Sequence, residues 1–332
     1  MLLFLATIVE QLDLALAHVE KRNAHDARFG LMLIDNAVEL VLHQIAKERS
    51  SRMKAHAFMR DSYAHQTAME KALGKSFDAK VKFARIEERL DLETSGTISI
   101  MHELRNEVYH TGIQYEEILP NLAIFYLEAA AAYLGTYQPH SLWWSSSQKL
   151  PERAKKYFPG DAFMPRSADN FKDGCMAIAR ACGHDVAETI SVLADHLDKI
   201  IEDQDTCISV VADGVYEGQQ RTRDRAVIET QAWQFAFSQD GKKLAAERGW
   251  TGNMLTWVDW LADNHPFNLR RDPVASWRRQ ATKLRSNSNP HSALKHYYSF
   301  MIETASFRET MEESARQAEA EIDMLIDQAR GK

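Results

Sequence analysis

Apolar residues recur at helical spacing along most of this chain. Leu5, Ile8, Val9, Leu12 and Leu16 fall on one stripe of a helix that turns about 100° per residue. The opening run from Leu2 to Val9 is as apolar as a signal sequence, but it lacks a basic leading segment. It continues in amphipathic style through Glu10, Leu12, Asp13, Leu14 and Leu16, which predicts a first core helix. No stretch is expected to reach the length of a membrane span. Phe29, Leu33, Ala37, Leu40 and Val41 predict a second stripe, in a helix over about 26–49. Further helices are expected at about 53–73, 77–92 and 116–137, with one between them that begins at a Ser95 or Thr97 cap and ends at Gly112.

Residues 138–168 interrupt the pattern. Pro139, Pro151, Pro159 and Pro165 fall there with Ser145, Ser146, Ser147, Trp143 and Trp144, which reads as a connector whose tryptophans pack on something. Helical spacing resumes at about 169–183, 186–204, 223–238, 251–264, 273–286 and 291–330. The expected architecture is all-α: a helical domain over 1–137, the connector over 138–168, and a second helical domain over 169–332 whose role the sequence does not assign. No solenoid repeat and no β-hairpin signal stands out.

Composition agrees with this picture. Gly (14) and Pro (8) are sparse in 332 residues, which disfavours a turn-rich β architecture. A net charge of −7 excludes a global positive field, so any nucleic-acid contact must use a local basic patch. Cys175, Cys182 and Cys207 are too few and too unevenly spaced for a disulfide framework or a zinc site. Cys175 and Cys182 read as buried packing, and a reducing, cytoplasmic setting is expected.

Chemistry concentrates in Arg105-Asn106-Glu107-Val108-Tyr109-His110. Arg clamps a phosphate with two donors, and His moves protons near neutral pH. On a helix, Met101, Leu104 and Val108 cluster on one side. His102, Arg105, Asn106, Tyr109 and His110 spread over roughly 140° on the other, and this polar set is expected to face outward. Asn106 and His110 are one turn apart. The plain alternative is a solvated helix face with two incidental histidines. His102-Glu103 opens like a zinc-protease helix, but the second His would fall at 106, which is Asn, so no metal site and no cofactor are expected. Asp35 and Glu39, also one turn apart, are candidates to orient His110 or Arg105, or else form a solvated or salt-bridged pair.

The segment from Leu104 to Gly112, with its Arg-Asn-x-x-x-His core, resembles the HEPN superfamily of helical domains, whose signature is an Arg, often followed by Asn, and a His four to six residues later. The run from Leu33 to Leu42 also resembles a helix of these domains, and the likeness covers about 1–137. It implies a metal-independent endoribonuclease with a composite site across a homodimer, in a toxin–antitoxin or phage-defence setting. Arg105 would bind the scissile phosphate, His110 would be general acid or base, and Asn106 would orient the His or a phosphate oxygen. The substrate's own 2′-hydroxyl would attack, leaving a 2′,3′-cyclic phosphate. RNA, a second copy of the chain and an antitoxin or regulatory protein are the implied partners. Gly112 stands where related toxins often carry a modifiable Tyr, so that form of regulation is not expected. The alternative function is a non-catalytic module that binds a nucleotide, RNA or a protein through the same face.

Outside this region, Arg270, Arg271, Arg278, Arg279, Lys283 and Arg285 face Asp272 alone, with Trp277 among them. This is either an RNA-backbone patch with a stacking platform or a charged helix paired with the acidic C-terminal segment 303–332. Lys47, Arg49, Arg52, Lys54 and Arg60 form a second basic set. Trp250, Trp257, Trp260 and Phe267 are expected in the core of the second domain.

Overall fold

The computed structural model describes residues 1–55, 63–111, 116–143, 148–159 and 167–331. Among these every regular element is helical, so the chain is all-α. The helices are α1 (Leu2–Val19), α2 (Ala24–Ala55), α3 (Gln66–Ala72), α4 (Phe77–Ile86), α5 (Leu92–Thr111), α6 (Leu119–Leu134), α7 (Ala168–Ala181), α8 (Val186–Asp213), α9 (Arg223–Phe237), α10 (Gln239–Glu247), α11 (Met254–Asn264), α12 (Val274–Arg285) and α13 (Pro290–Ala329), with a 3-10 turn over Arg153–Tyr157.

Several boundaries differ from expectation for local reasons. Met53 belongs to α2, not to the following helix. α5 begins at Leu92 because Asp91 Oδ1 accepts the Thr94 amide at 2.8 Å, ahead of the expected Ser95 or Thr97 cap. Helix α10 falls between the expected helices at 223–238 and 251–264, and it contains Gly241. Here it is a necessity: a Cβ at 241 would stand 1.9 Å from the Phe235 carbonyl oxygen, so glycine permits the tight turn from α9, and Ser238 Oγ caps α10 on the Gly241 amide at 3.0 Å.

Contacts divide the chain into two units, Met1–Leu193 with Asn287–Lys295, and Ala194–Ser286 with His296–Lys332. This differs from the expected boundaries at 137 and 168: the Arg153–Tyr157 turn packs on α1, and α7 packs on α1 and α6, so part of the presumed connector and the helix after it complete the first unit. Within that unit α2 is the central element, touching α1, α3, α4, α5 and α6. At Gly30 a Cβ would come within 2.6 Å of Val19 Cγ1, so glycine lets α2 lie close against α1. In the second unit Trp257 is buried in a cluster with Leu261, Val258 and Ala232, and Trp250, Trp260 and Phe267 pack against it, as expected. Cys175 and Cys182 are buried and unbridged.

Leu2–Val19 and Ala24–Lys54 are each long and apolar enough to cross a membrane by length and composition, which corrects the expectation that no stretch is. A little over half of each window, 56%, is packed inside the protein.

Asp13, in the amphipathic run of α1, is only 4% exposed. Burial alone pushes its pKa up, yet hydrogen bonds from Lys156 (2.6 Å), Tyr157 (2.6 Å) and Arg153 (2.9 Å) outweigh it and hold the carboxyl below the ordinary Asp range. A depressed folded pKa contributes stability that is complete above the unfolded value of about 3.9 and fades as pH falls through the folded one. Asp13→Asn is therefore expected to flatten the loss of unfolding free energy between about pH 5 and pH 2. Urea titrations across that range check it, and an acid limb as steep as in the parent chain would contradict it.

Candidate functional site

The site is built on Asp35. The buried stripe of α2 runs through Leu31, Ile34, Val38, Val41, Leu42 and Ile45, and Asp35 sits in its middle, 0% exposed. This phase differs from the expected one: Phe29 is exposed, and Leu33 and Leu40 are half-buried. A carboxylate in a helix core must find cations and donors or lose its charge. α5 supplies them. Arg105 donates to Asp35 Oδ2 from Nε at 3.0 Å and from Nη2 at 2.5 Å. His102 Nδ1 lies 3.1 and 3.0 Å from the two Asp35 oxygens. From α6, the fully buried Tyr126 hydroxyl donates to Oδ1 at 3.4 Å, and burial first, then the Asp35 charge, pushes its own pKa well up.

The α5 polar face is thus turned partly inward. Met101, Leu104 and Val108 are buried as expected, but His102 and Arg105 point at α2, with side chains 14% and 28% exposed. The outward-facing expectation fails for these two because a buried carboxylate stands opposite them. His102 also stacks flat on Phe77 of α4, with centroids 3.7 Å apart and planes 5° apart, which fixes its ring. Asn106 Oδ1 accepts from Arg105 Nη1 at 2.8 Å. Arg105 is therefore aimed by two side chains, and its guanidinium has five N–H donors, more than these contacts use.

Tyr109 and His110 lie in the last turn of α5, and their side chains are outside those described, as is Gly112. Glu39 does not join the site. It pairs instead with the buried Lys80 of α4 at 3.0 Å, so the one-turn partnership of Asp35 and Glu39 ends in two separate ion pairs.

Beside Arg105 a pocket of about 270 Å³ opens between α2 and α5, lined by Phe29, Met32, His25, Arg28, Leu31 and Val108. Phe29 (44% exposed) and Met32 (43%) give it an apolar lip. Arg28 reaches Glu116 at 2.9 Å. Among the described residues, no group of His, Cys, Asp and Glu is arranged to hold a metal ion.

No protein-family model, curated protein or solved structure matches this chain.

Half of the basic segment of the second unit is committed to structure. Arg278 pairs with Asp205 at 2.7 Å, and Arg285 with Asp195 and Asp198 at 2.7 and 2.6 Å, all acids of α8 and not of the C-terminal segment. Arg270 donates to the His265 carbonyl at 3.0 Å, at the end of α11. Trp277 is 4% exposed against Phe300 and Phe307 of α13, so it is not a stacking platform. Arg271, Arg279 and Lys283 are exposed and carry no ion pair among the described residues. In the other basic set, Arg49 lies over the Tyr63 ring at 4.3 Å and pairs with Glu87 at 3.4 Å. Lys47, Arg52 and Lys54 rim a shallow depression, and Arg60 lies outside the described residues.

Asp35 was legible as a candidate, but Tyr126 and Phe77 were not. Both sit in runs that read as plain core. A carboxylate at the core phase of α2 was the signal that would have called for buried partners.

Proposed function

We propose that the first unit is a metal-independent endoribonuclease of HEPN type, acting as a homodimer in the cytoplasm in a toxin–antitoxin or phage-defence role. The observation that carries this reading is the aimed guanidinium: Arg105 held by the buried Asp35 and by Asn106, beside a pocket, on the same helix as His110. Such a preset cation stabilises charge developing on a phosphate without reorganising first. His110 then exchanges protons with the attacking 2′-hydroxyl or the leaving 5′-oxygen. His102 and Asp35 position Arg105 and do not touch substrate. The apolar lip of Phe29 and Met32 beside Arg105 fits the second copy that a composite site requires. Of the basic segment 270–285, Arg271, Arg279 and Lys283 are the cations without an ion pair among the described residues, and they are left to meet RNA phosphates.

Total RNA incubated with the purified protein in EDTA tests this reading. Fragments ending in 2′,3′-cyclic phosphate are expected, and intact RNA would contradict it. The non-catalytic alternative also has an observation behind it. The Asp35 charge offsets that of Arg105, which leaves a neutral, hydrogen-bonding cluster suited to binding without cleavage.

A further inference from the structure

The second unit contains a cleft of about 850 Å³ whose two long walls are α9 and α13. On the α9 wall Trp233 and Phe237, one turn apart, are exposed to 39% and 55% and stack with planes 11° apart and centroids 5.8 Å apart. Large aromatic rings left half in water on a cleft wall mark a place where something apolar or cationic settles. On the α13 wall stand Glu309, Glu313 and Glu321; Glu313 is already paired with Arg316 at 2.7 Å, whereas Glu321 accepts from the neutral Tyr216 hydroxyl and keeps its charge. The only cation among the described lining residues, Arg221, is consumed by Glu229 at 2.5 Å and by the Val211 carbonyl at 3.0 Å. The cleft is therefore negative on one side and aromatic on the other.

This pairing selects the occupant. A guanidinium stacks on an aromatic face and forks onto a carboxylate at once, which an ammonium does less well. Trp233 and Phe237 are nearly parallel on one helix, so they form a flat wall and not the box that encloses a quaternary ammonium. The acidic positions span twelve residues of α13, about 18 Å along its axis, which is the reach of three to four helical turns. RNA is repelled by the same carboxylates.

We propose that this cleft binds an arginine-bearing amphipathic helix of a partner protein, laid along α9 and α13 with its apolar stripe on Trp233 and Phe237 and its arginines on Glu309 and Glu321. The mode is that of a helix in a groove, with charge setting register. It is independent of the ribonuclease reading, since every residue it uses lies in the second unit.

The test is fluorescence anisotropy on the full chain with a labelled synthetic helix of about four turns, carrying Arg at every fourth position and Leu on the adjoining stripe. A dissociation constant on the order of 10 µM is expected, weakening with added salt. Glu309→Lys with Glu321→Lys is expected to weaken it at least about tenfold, as is Trp233→Ala, because each removes one wall of the contact. Circular dichroism confirms that the variants keep their helix content. Three results would overturn the proposal: no binding at millimolar peptide, equal binding of a control helix with Glu for Arg, or full binding by the double charge reversal. Equal binding of a peptide that keeps Arg but has Gln for Leu would also overturn it, since the aromatic wall would then play no part.

Discussion

Replacing Arg105 with Ala is expected to lower unfolding free energy by about 3–5 kcal/mol and RNA cleavage by at least about 100-fold. The two losses have different origins. Asp35 is wholly buried, so removing the guanidinium leaves an uncompensated carboxylate among Leu31, Ile34 and Val38, with His102 and Tyr126 as its remaining partners. The catalytic loss comes from the donors that would meet the phosphate. Pairing the change with Asp35→Asn separates them: the double variant is expected to regain much of the stability, because the stranded charge is gone, while cleavage stays absent. Urea unfolding and an RNA cleavage assay on the same preparations read both quantities. A double variant that regains cleavage would show that Arg105 serves only to neutralise Asp35.

Phe29→Glu with Met32→Glu is expected to dissociate the homodimer and reduce cleavage by about 100-fold or more while leaving the monomer folded. Both side chains are more than two-fifths exposed, at 44% and 43%, so the fold does not depend on them. They border the pocket beside Arg105, so charge there places two carboxylates of each copy in the proposed interface. Sedimentation measures the mass, and thermal unfolding checks the monomer. Mixing Arg105→Ala chains with His110→Ala chains adds a second arm: a composite site regains partial activity in mixed dimers, whereas a site complete within one chain does not. A dimer that survives both glutamates would place the interface elsewhere.

The helical character of the chain was legible because few glycines and prolines interrupt its apolar periodicity. The phase of α2 was not. Phe29 and Leu33 looked as core-like as Leu31 and Ile34, and only the packing of α1, α5 and α6 around α2 decides which stripe is covered. The same ambiguity left the burial of Asp35 unread: it was a candidate to orient Arg105, but a carboxylate at that phase also reads as solvated until Arg105 and His102 are seen opposite it. Arg105 was legible as a functional candidate from its spacing to His110, but its inward aim required the fold. In the basic segment, a run of charge gave no hint that Arg278 and Arg285 are held by acids some 73 and 87 residues earlier. Helix α10 was not legible either, because the close approach of Gly241 to the Phe235 carbonyl that permits it shows only in the fold.

In the proposed reaction Arg105 and His110 cleave RNA without a metal, through the substrate's own 2′-hydroxyl. The most direct measurement is the cleavage rate of a defined RNA in EDTA by the parent chain and by His110→Ala, alongside the same RNA with a 2′-deoxy nucleotide at the scissile position. Cleavage by the parent chain is expected to fall by about 10²–10⁴ with His110→Ala and to vanish on the deoxy substrate. Equal rates for parent and His110→Ala, or cleavage of the deoxy substrate, would contradict it.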